Sequence, residues 1–293
     1  MSVLTVRHLT VYSYSEPVQL GEHRMMFRPR ESHDLRLLAT SLEIIPRPAH
    51  LRWLHDAFDN SVAVSSFDGA TERLSFESRV TLEHFETTLP QYPIEEYAQT
   101  YPFAYLNEDF PNLAMALTHH YESENVSHWA LQFLDAAEFT GTMKLLRSMT
   151  AGIRDGFTYV HRPEKGVQTP DETLKSRRGS CRDFAVLMME AVRSLGIAAR
   201  FVSGYIFSPL QETEGELVTH GGGSTHAWMQ VFLPGAGWID FDPTNSIVGN
   251  RNLIRVAVAW SPEQVLPLWG TYYGNPNSFI SMDVTVTVTS DAR

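Results

Sequence analysis

The sequence predicts an α+β protein in which an all-β N-terminal region precedes a core of helices packed on an antiparallel sheet. Three observations carry this expectation. Alternating apolar segments punctuated by Asp-Asn and Asp-Gly pairs fill the chain up to residue 88; a strongly periodic helix opens at Cys181; and two alternating runs flank the Pro/Gly-rich turn Pro234-Gly235-Ala236-Gly237.

Taken in order, Leu4 to Tyr14 and Leu35 to Ile45 read as strands, and Asp59-Asn60 and Asp68-Gly69 as hairpin turns around Val62–Val64 and before Leu74–Leu82. From Pro90 to Pro111 prolines and aromatics break the periodicity, and helical spacing resumes at Leu113–Tyr121, Trp129–Leu134 and Met143–Ile153. The reading is an N-terminal β-domain at 1–88, a connector with short helices at 89–142, and a core at 143–293 that includes strands at Phe201–Phe207 and Leu253–Trp260. Met282, Val284, Val286 and Val288 alternate with threonines at 285, 287 and 289, which predicts a last strand at about 280–290 able to pack on either domain.

Cys181 is the single cysteine of the chain. Ser180 with Asp183 three residues on forms a capping-box pattern, which makes Cys181 the first helical residue. Phe184, Leu187, Met188, Ala191, Val192 and Leu195 then follow at the spacing of one buried face, and Gly196 is a natural terminator. A thiol at a helix N-terminus meets unpaired N–H groups and the positive end of the dipole, both of which favour the nucleophilic thiolate. Arg177, Arg178 and Arg182 reinforce that field while Asp183 opposes it.

The partners come from the hairpin 226–244. His226, Trp228, Gln230 and Phe232 share one face of its first strand, and Trp238, Asp240 and Asp242 share one face of its second. An odd-length loop or a bulge brings His226 and Asp242 to the same face; an even-length loop separates them. A histidine that takes the Cys181 proton and an aspartate that orients the imidazole are what acyl transfer from an amide requires, with the Cys181 backbone N–H as an oxyanion donor. Asp240 shares the face of Asp242 and competes for the orienting role.

The runs Gly179-Ser180-Cys181-Arg182-Asp183-Phe184-Ala185, Leu195-Gly196-Ile197-Ala198-Ala199-Arg200 through Gly204-Tyr205, His226-Ala227-Trp228 and Asp242-Pro243-Thr244 resemble the core of bacterial transglutaminase-like proteins. The segments His8–Tyr14, Phe27-Arg28-Pro29-Arg30 and Asp59-Asn60-Ser61-Val62 resemble the β-domain that precedes it, with Asp59 where a turn glycine is usual. The resemblance implies a papain-like core and a triad of Cys181, His226 and Asp242 rather than Asp240; no cofactor and no metal are expected. The resemblance also implies a peptide or amide substrate, cleaved by a cysteine peptidase or amidohydrolase, with protein-glutamine amine transfer and a non-catalytic binding module as the alternatives.

Composition narrows the partners. A net charge of −11 argues against nucleic acid and anionic membrane, and no run of about twenty apolar residues is present. The first residues lack an apolar leader and one cysteine allows no internal disulfide, so the expected compartment is the cytoplasm. Oligomeric state is left open. His220-Gly221-Gly222-Gly223 has no Gly-x-Ser-x-Gly elbow to accompany it and reads as a loop beside the His226 strand, placed to shape substrate access. His119, His120 and His128 with Glu122 and Glu124 read as a solvated helix end rather than a metal site. Trp228, Trp238 and Tyr205 are candidates to line the pocket, with core packing as the competing reading.

Overall fold

The structure is a computed structural model and describes residues 2–86, 92–136, 139–162, 165–208 and 223–291. The expected boundary at 88/89 lies outside the described residues, as do His220–Gly222.

The N-terminal sheet is built from β1 (Ser2–Met25), β2 (Leu35–Ile45), β3 (His50–His55), β4 (Ser61–Ser66) and β5 (Ala70–His84), in the order β2-β5-β1-β4-β3. The connecting stretch carries β6 (Thr100–Tyr101), α1 (Phe110–Leu117), α2 (Glu124–Leu131) and β7 (Thr140–Gly141). There follow α3 (Thr142–Gly156), β8 (Thr158–Tyr159), α4 (Pro170–Ser176), β9 (Arg178–Gly179), α5 (Cys181–Ser194), β10 (Ala199–Ile206), β11 (His226–Leu233), β12 (Gly237–Asp242), β13 (Ile247–Val248) and β14 (Leu253–Ala259). The last strands, β15 (Leu268–Tyr273) and β16 (Phe279–Asp291), both pair antiparallel with β1, so the C-terminal strand closes onto the N-terminal sheet.

β1 changes neighbours along its length: residues 2–13 lie between β5 and β16, and residues 23–25 pair with β4 and β15. The register with β5 shifts between Ser13 and Val18, a stretch containing Pro17, which has no N–H to give a ladder. β3 escapes the sequence reading because its side chains are mostly exposed on both faces, Leu51 and Trp53 included, so no burial alternation exists to be read. At the β3–β4 turn Asp59 adopts φ 63°, the left-handed geometry for which a glycine is the usual choice.

The core sheet runs β13-β12-β11-β10-β14, all antiparallel, and α5 packs against β10 and β11. The expectation of one buried face on α5 understates its burial. α2, α3 and α4 cover the side turned away from the sheet, and every residue from Cys181 to Arg193 except Arg182 is buried. Its polar members are therefore paired: Glu190 meets Arg193 Nη1 at 2.7 Å, His119 Nδ1 at 3.3 Å and the His120 N–H at 3.2 Å. Gly196 has φ 73°, and the Ile197 N–H bonds back to Val192 O at 3.2 Å, which ends the helix.

One apolar cluster joins both parts of the molecule, from Leu4, Val6, Val80 and Leu82 of the N-terminal sheet to Phe184, Met188, Met229 and Phe241. Two polar contacts pin the same junction. Asn60 donates to Val258 O at 2.8 Å and accepts from Val258 N at 2.9 Å, and His8 Nδ1 lies 2.9 Å from the Tyr205 hydroxyl.

Candidate active site

β8 and β9 pair in parallel, Tyr159 beside Gly179, which leads the chain into α5 with Cys181 as its first residue. A Cβ on Gly179 would stand 2.9 Å from the Asp183 Cβ, so this approach to the helix requires glycine. Asp183 reaches back to the Ser180 N–H at 2.7 Å and hydroxyl at 2.8 Å, and it also accepts from Arg162 Nη1 at 2.8 Å and the Gln168 N–H at 2.7 Å. The carboxylate that the sequence sets against the local arginines is thus fully buried and engaged in the helix cap and the Arg162 ion pair.

Cys181 is 7% exposed and faces a cavity of about 290 Å³ that it lines together with His226, Tyr159, Arg182, Phe201 and Val284. Two of those residues come from elements outside the cysteine-to-hairpin stretch: Tyr159 from β8 and Val284 from β16. Tyr159 was missed because a two-residue strand leaves no periodic signal, and Val284 because strand alternation does not reveal which partner a strand will find.

The hairpin resolves the face question. Met229 pairs with Phe241 and Leu233 with Gly237, leaving the three-residue loop Pro234–Ala236, in which Gly235 takes φ 82°. With this odd-length loop the His226 and Asp242 side chains share a face, and His226 Nε2 lies 2.8 Å from Asp242 Oδ2. Both side chains are fully buried. Asp242 also accepts from the Thr244 N–H at 2.9 Å and from Asn245 Nδ2 at 2.8 Å.

Burial alone would lower the pKa of His226; the charge and hydrogen bond of Asp242, with the Cys181 thiol adding to them, overcome it and raise the imidazole to about 10. Burial pushes Asp242 up, but His226, Asn245 and the Thr244 N–H hold its carboxyl below the ordinary range. With Nε2 of His226 taken by Asp242, Nδ1, which is buried and has no other hydrogen-bond partner among the described residues, is the nitrogen left to face the thiol.

Asp240 occupies the next place along the same face and has different work. It accepts from Trp228 Nε1 at 2.6 Å and Gln230 Nε2 at 2.9 Å. Trp228 in turn stacks on His226 with ring centroids 5.8 Å apart, so Asp240 fixes the ring that backs the imidazole and does not touch the imidazole itself. Trp228, Trp238 and Tyr205 line other parts of the molecule. Trp228 is fully buried, Tyr205 bonds His8, and Trp238 lies under the Arg200 guanidinium at 4.1 Å. Gly223, the described end of the glycine segment, accepts at its carbonyl from the Val286 N–H of β16 at 2.9 Å. Among the described residues no group of three or more His, Cys, Asp or Glu side chains is placed to hold a metal ion, and no helix is long and apolar enough to cross a membrane.

Residues 4–83 match the family model of the bacterial transglutaminase-like N-terminal region, and residues 136–243, which contain Cys181, His226 and Asp242, match that of the transglutaminase-like superfamily. Over nearly its full length the chain is similar to uncharacterized proteins of Mycobacterium leprae and Mycobacterium tuberculosis. It is 26% identical to the first over 98% of both chains, and 28% identical to the second over 96% of this chain and 91% of that one. A shorter stretch, 32% of this chain and 14% of the other, is 33% identical to a protein-glutamine gamma-glutamyltransferase of Pseudomonas aeruginosa. The fold is shared with a solved structure described as a putative cysteine protease from Cytophaga hutchinsonii, at a TM-score of 0.71 and 19% identity, covering 100% of this chain and 92% of that one.

Proposed function

From the premise that the chain belongs to the transglutaminase-like superfamily, we propose that it is a thiol-dependent acyl-transfer enzyme that cleaves an amide or peptide bond through a thioester on Cys181. The observation that carries this reading is the buried His226–Asp242 pair, whose imidazole lines one cavity with a thiol at a helix start.

With its pKa raised to about 10, His226 stands as an imidazolium at neutral pH and is the counter-ion a Cys181 thiolate needs. The thiolate sulfur attacks the substrate carbonyl carbon, and the Cys181 backbone N–H donates to the oxyanion that forms. The carbon–nitrogen bond then breaks as His226 gives its proton to the departing amine. Water, deprotonated by the now neutral His226, attacks the thioester carbonyl; the carbon–sulfur bond breaks, a carboxylic acid is released and the Cys181 thiolate–His226 imidazolium pair is restored. Asp242 keeps its proton count throughout; it fixes the ring orientation and stabilises the imidazolium. Hydrolysis is favoured over amine transfer because bulk water outcompetes a weakly held amine unless the site excludes it.

Ammonia release, amine incorporation and peptide cleavage should be measured in parallel on glutamine-containing peptides and a general peptide library. We expect cleavage to dominate and Cys181→Ala to abolish it with the fold intact. Amine incorporation above hydrolysis at about millimolar amine would replace the hydrolase reading by a transferase one. Wild-type turnover in Cys181→Ala would remove the mechanism.

A further inference from the structure

A second cavity, of about 720 Å³, opens between the N-terminal sheet and the core sheet, away from Cys181. Its lining includes three guanidinium groups, Arg30, Arg200 and Arg255, and three carboxylates, Glu31, Asp34 and Asp240. The charges are not evenly satisfied. Asp34 is engaged by Arg255 at 3.6 Å and by the Ser32 hydroxyl and Asn250, Asp240 by Trp228 and Gln230, and Arg30 by Asp59 at 2.6 Å. Glu31 is exposed and accepts from the Leu37 N–H.

Arg200 has no carboxylate within ion-pair distance among the described residues. Its Nε donates to Gln230 Oε1 at 2.8 Å and its face rests on Trp238, while its two terminal nitrogens make no hydrogen bond among the described residues. Burial, and after it the like charge of Arg255, bring its pKa from 12.5 down to about 9. A guanidinium fixed at Nε and along its face, with the terminal fork empty toward a cavity, is preorganised for two parallel hydrogen bonds to an oxyanion.

We propose that this cavity binds a small oxyanion of phosphate or carboxylate type, held by the Arg200 fork with Arg255 beside it and the exposed Arg30 at the rim. The anion would meet Arg200 directly, where the Asp240 carboxylate reaches it only through Gln230. The site is linked to the candidate active centre without being part of it, since the bonds Arg200–Gln230–Asp240–Trp228 end on the ring stacked against His226.

Calorimetric titration and thermal unfolding of the full chain, with inorganic phosphate, citrate and sodium chloride at matched ionic strength, test the proposal independently of catalysis. Saturable binding of phosphate or citrate, with a rise in Tm beyond that in chloride, is expected, and which of the two binds identifies the source of the oxyanion. Arg200→Gln should weaken that binding by about tenfold or more. If Arg200→Gln does not fold, the double variant Arg30→Gln/Arg255→Gln carries the test and should weaken it by a similar factor. Binding of neither anion above chloride, or wild-type affinity in the folded variants, would overturn the assignment.

Discussion

Replacing Asp242 by asparagine keeps the shape of the buried pair and removes its charge, so it isolates what the carboxylate does to His226. The imidazole stands at about 10 because Asp242 outweighs burial; without that charge, burial is unopposed apart from the thiol, and the pKa should fall to the ordinary 6.5 or below. At about 1.36 kcal/mol per pKa unit, a fall from about 10 to 6.5 corresponds to roughly 5 kcal/mol of differential interaction. Histidine side-chain NMR reads it directly, with a titration near 10 in the wild type and none above about 7 in Asp242→Asn. Asp240→Asn is the control, since Asp240 bonds Trp228 and Gln230, and it should leave the His226 titration in place. Catalytic turnover in Asp242→Asn should drop by about 10³- to 10⁴-fold, the order seen when the orienting carboxylate of a triad becomes an amide. The reasoning is refuted if His226 still titrates near 10 in Asp242→Asn, or if Asp240→Asn moves it as far.

Three further outcomes follow. Because the folded pKa of His226 lies above its unfolded value of 6.5, the stability it contributes is whole below 6.5 and is lost as pH rises through about 10, so wild-type Tm should decline more steeply toward about pH 10 than that of Asp242→Asn. Gly204→Ala would place a Cβ 2.2 Å from the backbone oxygen of Ile254 and 2.7 Å from the Trp228 ring, with neither free to retreat. A loss of about 3 kcal/mol, or a Tm lower by about 10 °C, is expected, and a change within about 1 °C would contradict the packing described. Asn60→Ala strips both hydrogen bonds from Val258 at the junction of the two sheets and should cost about 2 kcal/mol by urea unfolding; a change below about 0.5 kcal/mol would show that water replaces them without loss.

The parts of the site that were legible in the sequence are those set by local periodicity. Ser180, Asp183 and Gly196 bound the cysteine helix because caps and left-handed terminators are written in short spacings. The order of His226, Trp228 and Gln230 opposite Trp238, Asp240 and Asp242 followed from strand alternation. Its register did not, because the parity depends on the length of the Pro234–Ala236 loop, and only that loop decides that Asp242 meets His226. Val284 was legible as part of a strand but not as a wall of the cavity, since pairing with β1 is a contact across almost the whole chain. The cation-lined second cavity was illegible for the same reason: Arg30, Arg200 and Arg255 lie far apart in sequence and share only a location in space.

The central claim is that Cys181 is held as a nucleophile by His226 and Asp242, and the rate of alkylation of native protein by iodoacetamide tests it most directly. The thiol is 7% exposed but faces a cavity, so reagent access and activation can be separated by comparing native protein with Asp242→Asn and with a free model thiol. The account predicts that Cys181 alkylates near neutral pH faster than the model thiol, and that the rate falls in Asp242→Asn. Alkylation that occurs only after denaturation, or at equal rates in the wild type and Asp242→Asn, would contradict it.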